Sequence, residues 1–190
     1  MTTAPYLIVI GGSAGGLQPV LHLLPGLNAS INAAIIIVLH RPSHYESLLT
    51  DLLLTRTVLL VKEAPEKEPL LPGVVYIAPA DYHLLIEKDH TLSLDASEKV
   101  NFSRPSIDVT FSSAALAYRN NMAAILLSGA NNDGIEGLMD VHEAGGTTAV
   151  QDPATAEVDY MPRHAMEQAP VDIVLQPSEM AAFINEMGGI

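Results

Sequence analysis

Seven short runs of aliphatic and β-branched residues mark out the chain, at 6–10, 33–39, 58–61, 74–77, 123–127, 147–150 and 171–175. Most are followed within three residues by Gly or Pro. Apolar and polar positions do not alternate within them. An unbroken apolar strand suits a parallel sheet that is covered on both faces. Between most of these runs lie stretches with helical spacing, at 18–24, 45–54, 107–118, 135–144, 163–168 and 177–186. This order of strand and helix predicts an α/β fold with a doubly wound, mainly parallel sheet.

The middle of the chain breaks the rhythm. Runs 74–77, 83–87 and 91–94 have no helical pattern between them, and 78–82 and 88–90 read as turns. They predict a β-hairpin or meander inserted in the sheet. Residues 63–68 form a charged, Pro-containing stretch, read as a solvated loop. Residues 97–104 are polar and irregular and lead into Pro105. Local signals mark several helix ends. Ser106 precedes Ile107, Phe111 and Ala115 at intervals of four. Pro177 and Ser178 open the last helix, and Gly145 and Gly146 close the one before residue 145. Gly11, Gly12, Gly15 and Gly16 fill the first strand-to-helix turn.

Composition narrows the function classes. The length of 190 residues suits one domain spanning 1–190. Without Cys there is no disulfide framework, thiol nucleophile or Cys-ligated metal. Nine Lys and Arg against 22 Asp and Glu leave a formal charge of −13, which argues against nucleic acid and anionic membranes as partners. No apolar run approaches the ~18 residues of a membrane span. No Lys or Arg precedes the first apolar run, so no secretory signal is expected and a cytoplasmic protein is. His40 and His44 have a helical metal-ligand spacing, but Pro42 lies between them and no third ligand is evident, so no metal site is expected.

In open α/β sheets ligands gather at the carboxyl ends of the strands. The first strand runs into Gly11-Gly12-Ser13-Ala14-Gly15-Gly16, which contains G-x-S-x-G between a strand and a helix. That is the setting of a nucleophile elbow, with the Ala14 amide as one oxyanion donor. The same turn would also serve as a phosphate-binding glycine loop with Ser13 as a helix N-cap. The second strand ends in His40, a residue type suited to act as base for a serine. A later strand runs into Ser128-Gly129-Ala130-Asn131-Asn132-Asp133-Gly134. Asp133 reads either as the N-cap of the next helix or as the acid that orients His40. Three such residues at three strand ends point to a Ser13–His40–Asp133 triad. Their order differs from the Ser, Asp/Glu, His order of the α/β-hydrolases.

Further ordered blocks include Val38-Leu39-His40-Arg41-Pro42, the stretch 71–79, Arg104-Pro105-Ser106-Ile107-Asp108, Ala144-Gly145-Gly146, Val150-Gln151-Asp152-Pro153 and Met161-Pro162-Arg163. With the glycine-rich turn they make the chain, nearly end to end, resemble the catalytic domain of the CheB family of chemotaxis protein-glutamate methylesterases. The resemblance implies a three-layer α/β/α sandwich, with Ser13 as nucleophile, His40 as base and Asp133 as orienting acid. It implies hydrolysis of glutamate methyl esters on chemoreceptor helices, deamidation of glutamines by the same chemistry, and no metal or organic cofactor. Arg104, Ala130, Asn131 and Met161 are candidates to line the cleft. Methylated chemoreceptors, or another protein methyl ester, are the expected partners.

The pattern also departs from the family. Ala14 stands where Thr is usual, Leu39 where Gln is common, and 129–134 where G-M-G-x-D-G is usual. A glycine of positive φ would resist replacement at Asn131, though Asn tolerates that region best. Ser13-Ala14 also looks like methylesterase domains fused to methyltransferases in hybrid sensors. No receiver domain precedes Ser13 in this sequence, so either regulation differs or the chain is a piece of a longer protein. Two rival functions follow: a binding module that kept the fold, and an esterase for another substrate.

Overall fold

A computed structural model describes residues 2–41 and 46–190, with the side chains of residues 46 and 47 left aside. The His40–His44 spacing therefore falls partly outside the described residues. The main sheet is built from β1 (Tyr6–Gly12), β2 (Ala33–Leu39), β3 (Leu60–Glu63), β4 (Val74–Ile77), β7 (Met122–Leu126), β8 (Thr147–Gln151) and β9 (Ile173–Leu175). All seven are parallel, in the order β3-β4-β2-β1-β7-β8-β9. β5 (His83–Ile86) and β6 (Leu92–Asp95) pair antiparallel in a separate two-stranded sheet. The helices are α1 (Leu17–Leu23), α2 (Glu46–Leu54), α3 (Ile107–Tyr118), α4 (Ile135–Glu143), α5 (Tyr160–Gln168) and α6 (Pro177–Met187).

The lack of alternation in the strands has its physical cause here. Leu7 and Val9 of β1 face a core shared with Phe111 of α3, Leu138 of α4 and Ala165 of α5. Ile8 and Ile10 face a second core shared with Val20 of α1, Leu53 of α2 and Phe183 of α6. Every position of β2, β4 and β7, and every position of β1 after Tyr6, is thus buried on one side or the other. Each Leu or Ile so covered contributes ~1.5–3 kcal/mol relative to exposure. The result is a three-layer α/β/α arrangement with a mainly parallel sheet.

Two expectations need correction. The run at 74–77 is not part of a meander: it joins the parallel sheet beside β2, and only β5 and β6 form the hairpin. That hairpin packs on α3, where Leu84 O accepts from Thr110 Oγ1 (2.9 Å) and Ile86 N donates to Ser113 Oγ (3.1 Å). Nor is 63–68 simply a solvated loop. Lys67 N donates to Leu92 O (2.8 Å) and Leu92 N to Glu68 O (2.9 Å), so the segment adds to the hairpin's edge. Charge at four of its six positions hid a backbone pairing that depends on the distant Leu92.

The connection order places the site. From β1 the chain moves to β2 and outward, then returns to the other side of β1 as β7. The crevice for ligands in such a sheet lies where the winding reverses, at the carboxyl ends of β1 and its neighbours.

Candidate active site

Register brings the three strand ends together. Gly12 lies opposite Leu39, and Gly11 lies opposite Leu126. The chain then turns at Ser13, His40 and Ser128 on adjacent strands. His40 N donates to Gly12 O (3.1 Å), and Ser13 N donates to Ser128 O (2.9 Å). Ser13 is not the cap of α1, which begins after Gly16 and has no side-chain cap. Two glycines give the turn its shape. Gly15 has φ +77°, and a Cβ there would stand 2.6 Å from Ser128 Oγ. At Gly129 a Cβ would stand 2.5 Å from Met161 Cε and 3.0 Å from Ser13 Cβ.

Asp133 is fully buried and does not cap α4, whose N-cap is Gly134. It serves instead the start of α3. Its Oδ1 accepts from Ser106 Oγ (2.8 Å) and Asp108 N (3.0 Å). Its Oδ2 accepts from Ile107 N (2.7 Å) and from His40 Nε2 (2.8 Å). A carboxylate at a helix N-terminus, bonded by free backbone N–H groups, is favoured in its charged form. Burial opposes the charge, but the hydrogen bonds from His40, Asp108 and Ile107 outweigh it and hold the Asp133 carboxyl below the usual range.

That bond sets the imidazole's tautomer. A carboxylate accepts only, so Nε2 carries the proton and Nδ1 is left as the basic nitrogen. Ser103 Oγ (3.3 Å) and Asn131 Nδ2 (3.4 Å) stand at Nδ1 as weak donors. Asn131 is oriented by its other end, since its Oδ1 accepts from Asp133 N (3.1 Å). Ser13 Oγ makes no hydrogen bond among the described residues. It shares with His40 a cavity of about 300 Å³ walled by Leu17, Leu39 and, from α2, Leu48, Leu49 and Leu52. The backbone N–H groups of Ala14 and Ala130 have no acceptor among the described residues, which leaves both able to serve a developing oxyanion.

The other predicted residues divide. Asn131 reaches His40, Ala130 is exposed beside it in the chain, and neither has a positive φ; the left-handed glycine of this loop is Gly134, at φ +102°. The sequence expectation of a positive φ at Asn131 is therefore corrected. Arg104 lines a second cavity beside His40. Met161 does not line the cleft: it is fully buried, and its thioether packs under Gly129 as part of the floor. Sequence reasoning missed Ser103, whose irregular loop gave no signal. It also missed that Ser106 holds Asp133, although Arg104-Pro105-Ser106 stood out as a block. His83 is buried, accepts from Ser106 N at Nδ1 (3.1 Å) and bonds Glu98 O through Nε2 (2.9 Å). It thereby ties the loop before α3 to the helix start that grips Asp133.

Asp108, in the first turn of α3, is the second buried carboxyl. It accepts from Gly137 N (2.8 Å) and Asn101 Nδ2 (2.7 Å). Burial, with the charge of Asp133 close by, pushes it up to about 7 against the opposing Gly137 bond. A folded-state pKa above the ordinary 3.8 means the fold binds this proton more tightly than the unfolded chain does. Its stabilising contribution is present below pH 3.8 and is lost as pH rises toward about 7. Asp133 has the opposite sign: its contribution is present above 3.8 and is lost as pH falls. Asp108→Asn is expected to flatten the decline in melting temperature between about pH 4 and pH 7. An unchanged slope in melting scans across that window would refute this assignment.

Among the described residues, no cluster of His, Asp and Glu is placed to hold a metal ion, and no helix is long and apolar enough to cross a membrane.

Comparison with known proteins gives a consistent result. The family model for CheB methylesterase matches residues 8–184. A Leptospira interrogans protein, provisionally named protein-glutamate methylesterase/protein-glutamine glutaminase, is 45% identical over 174 residues, covering 92% of this chain and 90% of that protein. A Thermotoga maritima protein of the same name is 36% identical over 184 residues, 95% of this chain but 54% of its own length. The crystal structure of the T. maritima CheB methylesterase catalytic domain superposes with a TM-score of 0.92 at 34% identity, covering 96% of this chain and 98% of that one.

Proposed function

The chain belongs to the CheB methylesterase family, and from that premise we propose that it is a serine hydrolase that demethylates glutamate methyl esters on chemoreceptors. The same chemistry would deamidate glutamines. The chain acts as one catalytic domain, in the cytoplasm, with Ser13 as nucleophile, His40 as base and Asp133 as orienting acid.

The observation that carries the reading is the buried Asp133 bound to His40 Nε2 at 2.8 Å, with Ser13 on the same cavity as His40. With Nε2 protonated, Nδ1 takes the Ser13 proton as Oγ attacks the ester carbonyl. Asp133 stabilises the imidazolium that forms. The Ala14 and Ala130 N–H groups donate hydrogen bonds to the charged carbonyl oxygen. As the tetrahedral species collapses, Nδ1–H protonates the departing methoxide and methanol leaves. Water then gives a proton to Nδ1 and attacks the glutamyl-Ser13 ester, and Nδ1–H passes that proton to Ser13 Oγ as the acyl bond breaks, which frees the glutamate and restores the site. With a glutamine amide the first leaving group is ammonia.

The test is methanol release from a methylated chemoreceptor fragment, run beside hydrolysis of a small ester. Release of methanol supports the proposal. Hydrolysis of the small ester alone points to another substrate, and turnover of neither points to a binding module.

Ser103 and Asn131 compete with Ser13 for the basic nitrogen. Removing a neutral donor worth ~1 kcal/mol corresponds to ~5-fold in an equilibrium. Ser103→Ala is accordingly expected to raise kcat on a small ester by about 2- to 5-fold. Steady-state kinetics checks this, and a fall in kcat would show that Ser103 helps the base rather than competes for it.

A further inference from the structure

Cations are scarce in this chain and unevenly placed. Against a formal charge of −13 there are nine Lys and Arg, and three of them, Arg41, Lys99 and Arg104, line one cavity beside His40. That cavity holds about 270 Å³, and Asp81 is the one acid among its lining residues. One of the cations, Arg104, is anchored by carbonyls, which orient a guanidinium without cancelling its charge. Arg104 donates to Ala96 O (2.8 Å) and Ser97 O (2.6 Å), and Arg41 donates to Ala78 O (3.1 Å). Arg104 also lies within electrostatic reach of Asp95. Lys99 is exposed and has no ion pair among the described residues.

The same loop displays Phe102. Its side chain is 98% exposed, and Asn101 and Phe102 both have positive φ, at 48° and 62°. Non-glycine residues adopt that backbone region at a cost, and a Phe held fully in water gains nothing from the fold. Across His40 lies the leucine-walled cavity that contains Ser13. It offers far more room than a single methyl ester needs. The reactive pair is thus flanked by a cationic wall with an exposed ring and by an apolar wall.

We propose that this cleft recognises a carboxylate-rich protein segment, whose acidic side chains lie over Lys99 and Arg104 while an apolar side chain enters the leucine cavity. The proposal rests on the esterase reading above and adds to it the chemistry of the flanking sequence. Because the molecule as a whole is anionic, the attraction is local: it acts within the ~8 Å over which charge is felt at physiological salt, not as long-range steering. Specificity for the flanks would then come from contact at the cleft.

Lys99 is the residue to change, since its exposed side chain supports nothing else among the described residues. Three substrates separate the possibilities: a peptide with a γ-methyl glutamate flanked by glutamates, the same peptide flanked by glutamines, and p-nitrophenyl acetate. Lys99→Glu is expected to raise KM for the acidic peptide by about 3- to 10-fold. KM for the glutamine-flanked peptide and turnover of p-nitrophenyl acetate should stay as in the wild type, and Lys99→Arg should behave as wild type on all three. Equal effects on both peptides, or none on either while p-nitrophenyl acetate is still turned over, would overturn this inference and leave the esterase reading standing. Failure of the wild-type protein on all three substrates would overturn both.

Discussion

Ser13→Ala is expected to lower kcat for ester hydrolysis by ~10⁴-fold or more and to leave the fold intact. The two halves of that expectation have separate causes. Ser13 Oγ has no hydrogen bond among the described residues, so deleting it strands no buried partner. The contact that holds the turn is made by its backbone, through the bond from Ser13 N to Ser128 O at 2.9 Å, and the substitution leaves it in place. Chemistry, by contrast, loses the atom that the proposed mechanism uses to form the acyl intermediate. Residual turnover over water would come from substrate binding and the Ala14 and Ala130 N–H groups. Steady-state kinetics beside a thermal melt checks both halves. Full activity in the variant would sink the mechanism, and a collapsed melt would show that Ser13 also supports the turn.

Asp133→Asn should damage both activity and stability. Each carboxylate oxygen accepts two hydrogen bonds, and on each one of the donors is a backbone N–H, Asp108 N on Oδ1 and Ile107 N on Oδ2. An amide has one accepting end. Whichever way it turns, its NH₂ faces a buried backbone donor. Stranding one such group costs ~1–3 kcal/mol. The amide turned with NH₂ toward His40 would also invert the imidazole tautomer and place the proton on Nδ1, where the base is needed. A loss of ~10³–10⁴-fold in kcat is expected, together with a lower denaturant midpoint. Kinetics and chemical denaturation on the one variant test the claim that Asp133 joins helix capping to catalysis. A variant with lowered stability and full kcat would leave Asp133 a structural cap alone.

The two expectations differ because Asp133 belongs to the architecture and Ser13 does not, and the sequence separated them only in part. The sheet was legible because a strand covered on both faces must be apolar throughout, so 33–39 and 74–77 could be bounded to the residue. Ser13, His40 and Asp133 were legible as polar residues at the ends of such runs, in a fold class where those ends converge. What was hidden depended on packing between distant segments. Asp133 precedes α4, and nothing local indicates that its oxygens reach across to the first turn of α3. Ser103 meets His40 from 63 positions away, through a loop with no periodicity. Met161 belongs to a motif block, but its burial under Gly129 follows from where α5 begins, at Tyr160 rather than Arg163, with Pro162 accommodated in the first turn. The hairpin's separation from the sheet turned on its fit against α3, which a pattern of short apolar runs does not encode.

The departures from the family pattern take on physical content in the structure. Asn131 does not strain the backbone where Gly is usual. It spans from the Asp133 amide to His40 Nδ1 and adds a donor at the base. Ala130, in the place of Met, is exposed. Ala14 is exposed beside the nucleophile and leaves its N–H in place. None of the three touches the bond between Asp133 and His40.

The central claim is that Ser13 is an activated nucleophile, and a fluorophosphonate probe tests it with the fewest assumptions about substrate. The probe reacts with a serine whose proton a neighbouring base can accept. The account predicts a single adduct on the folded protein, located to Ser13 by peptide mass spectrometry, absent in Ser13→Ala and much slower in Asp133→Asn. A folded wild-type protein that takes up no probe, or takes it up at another serine, would contradict the account.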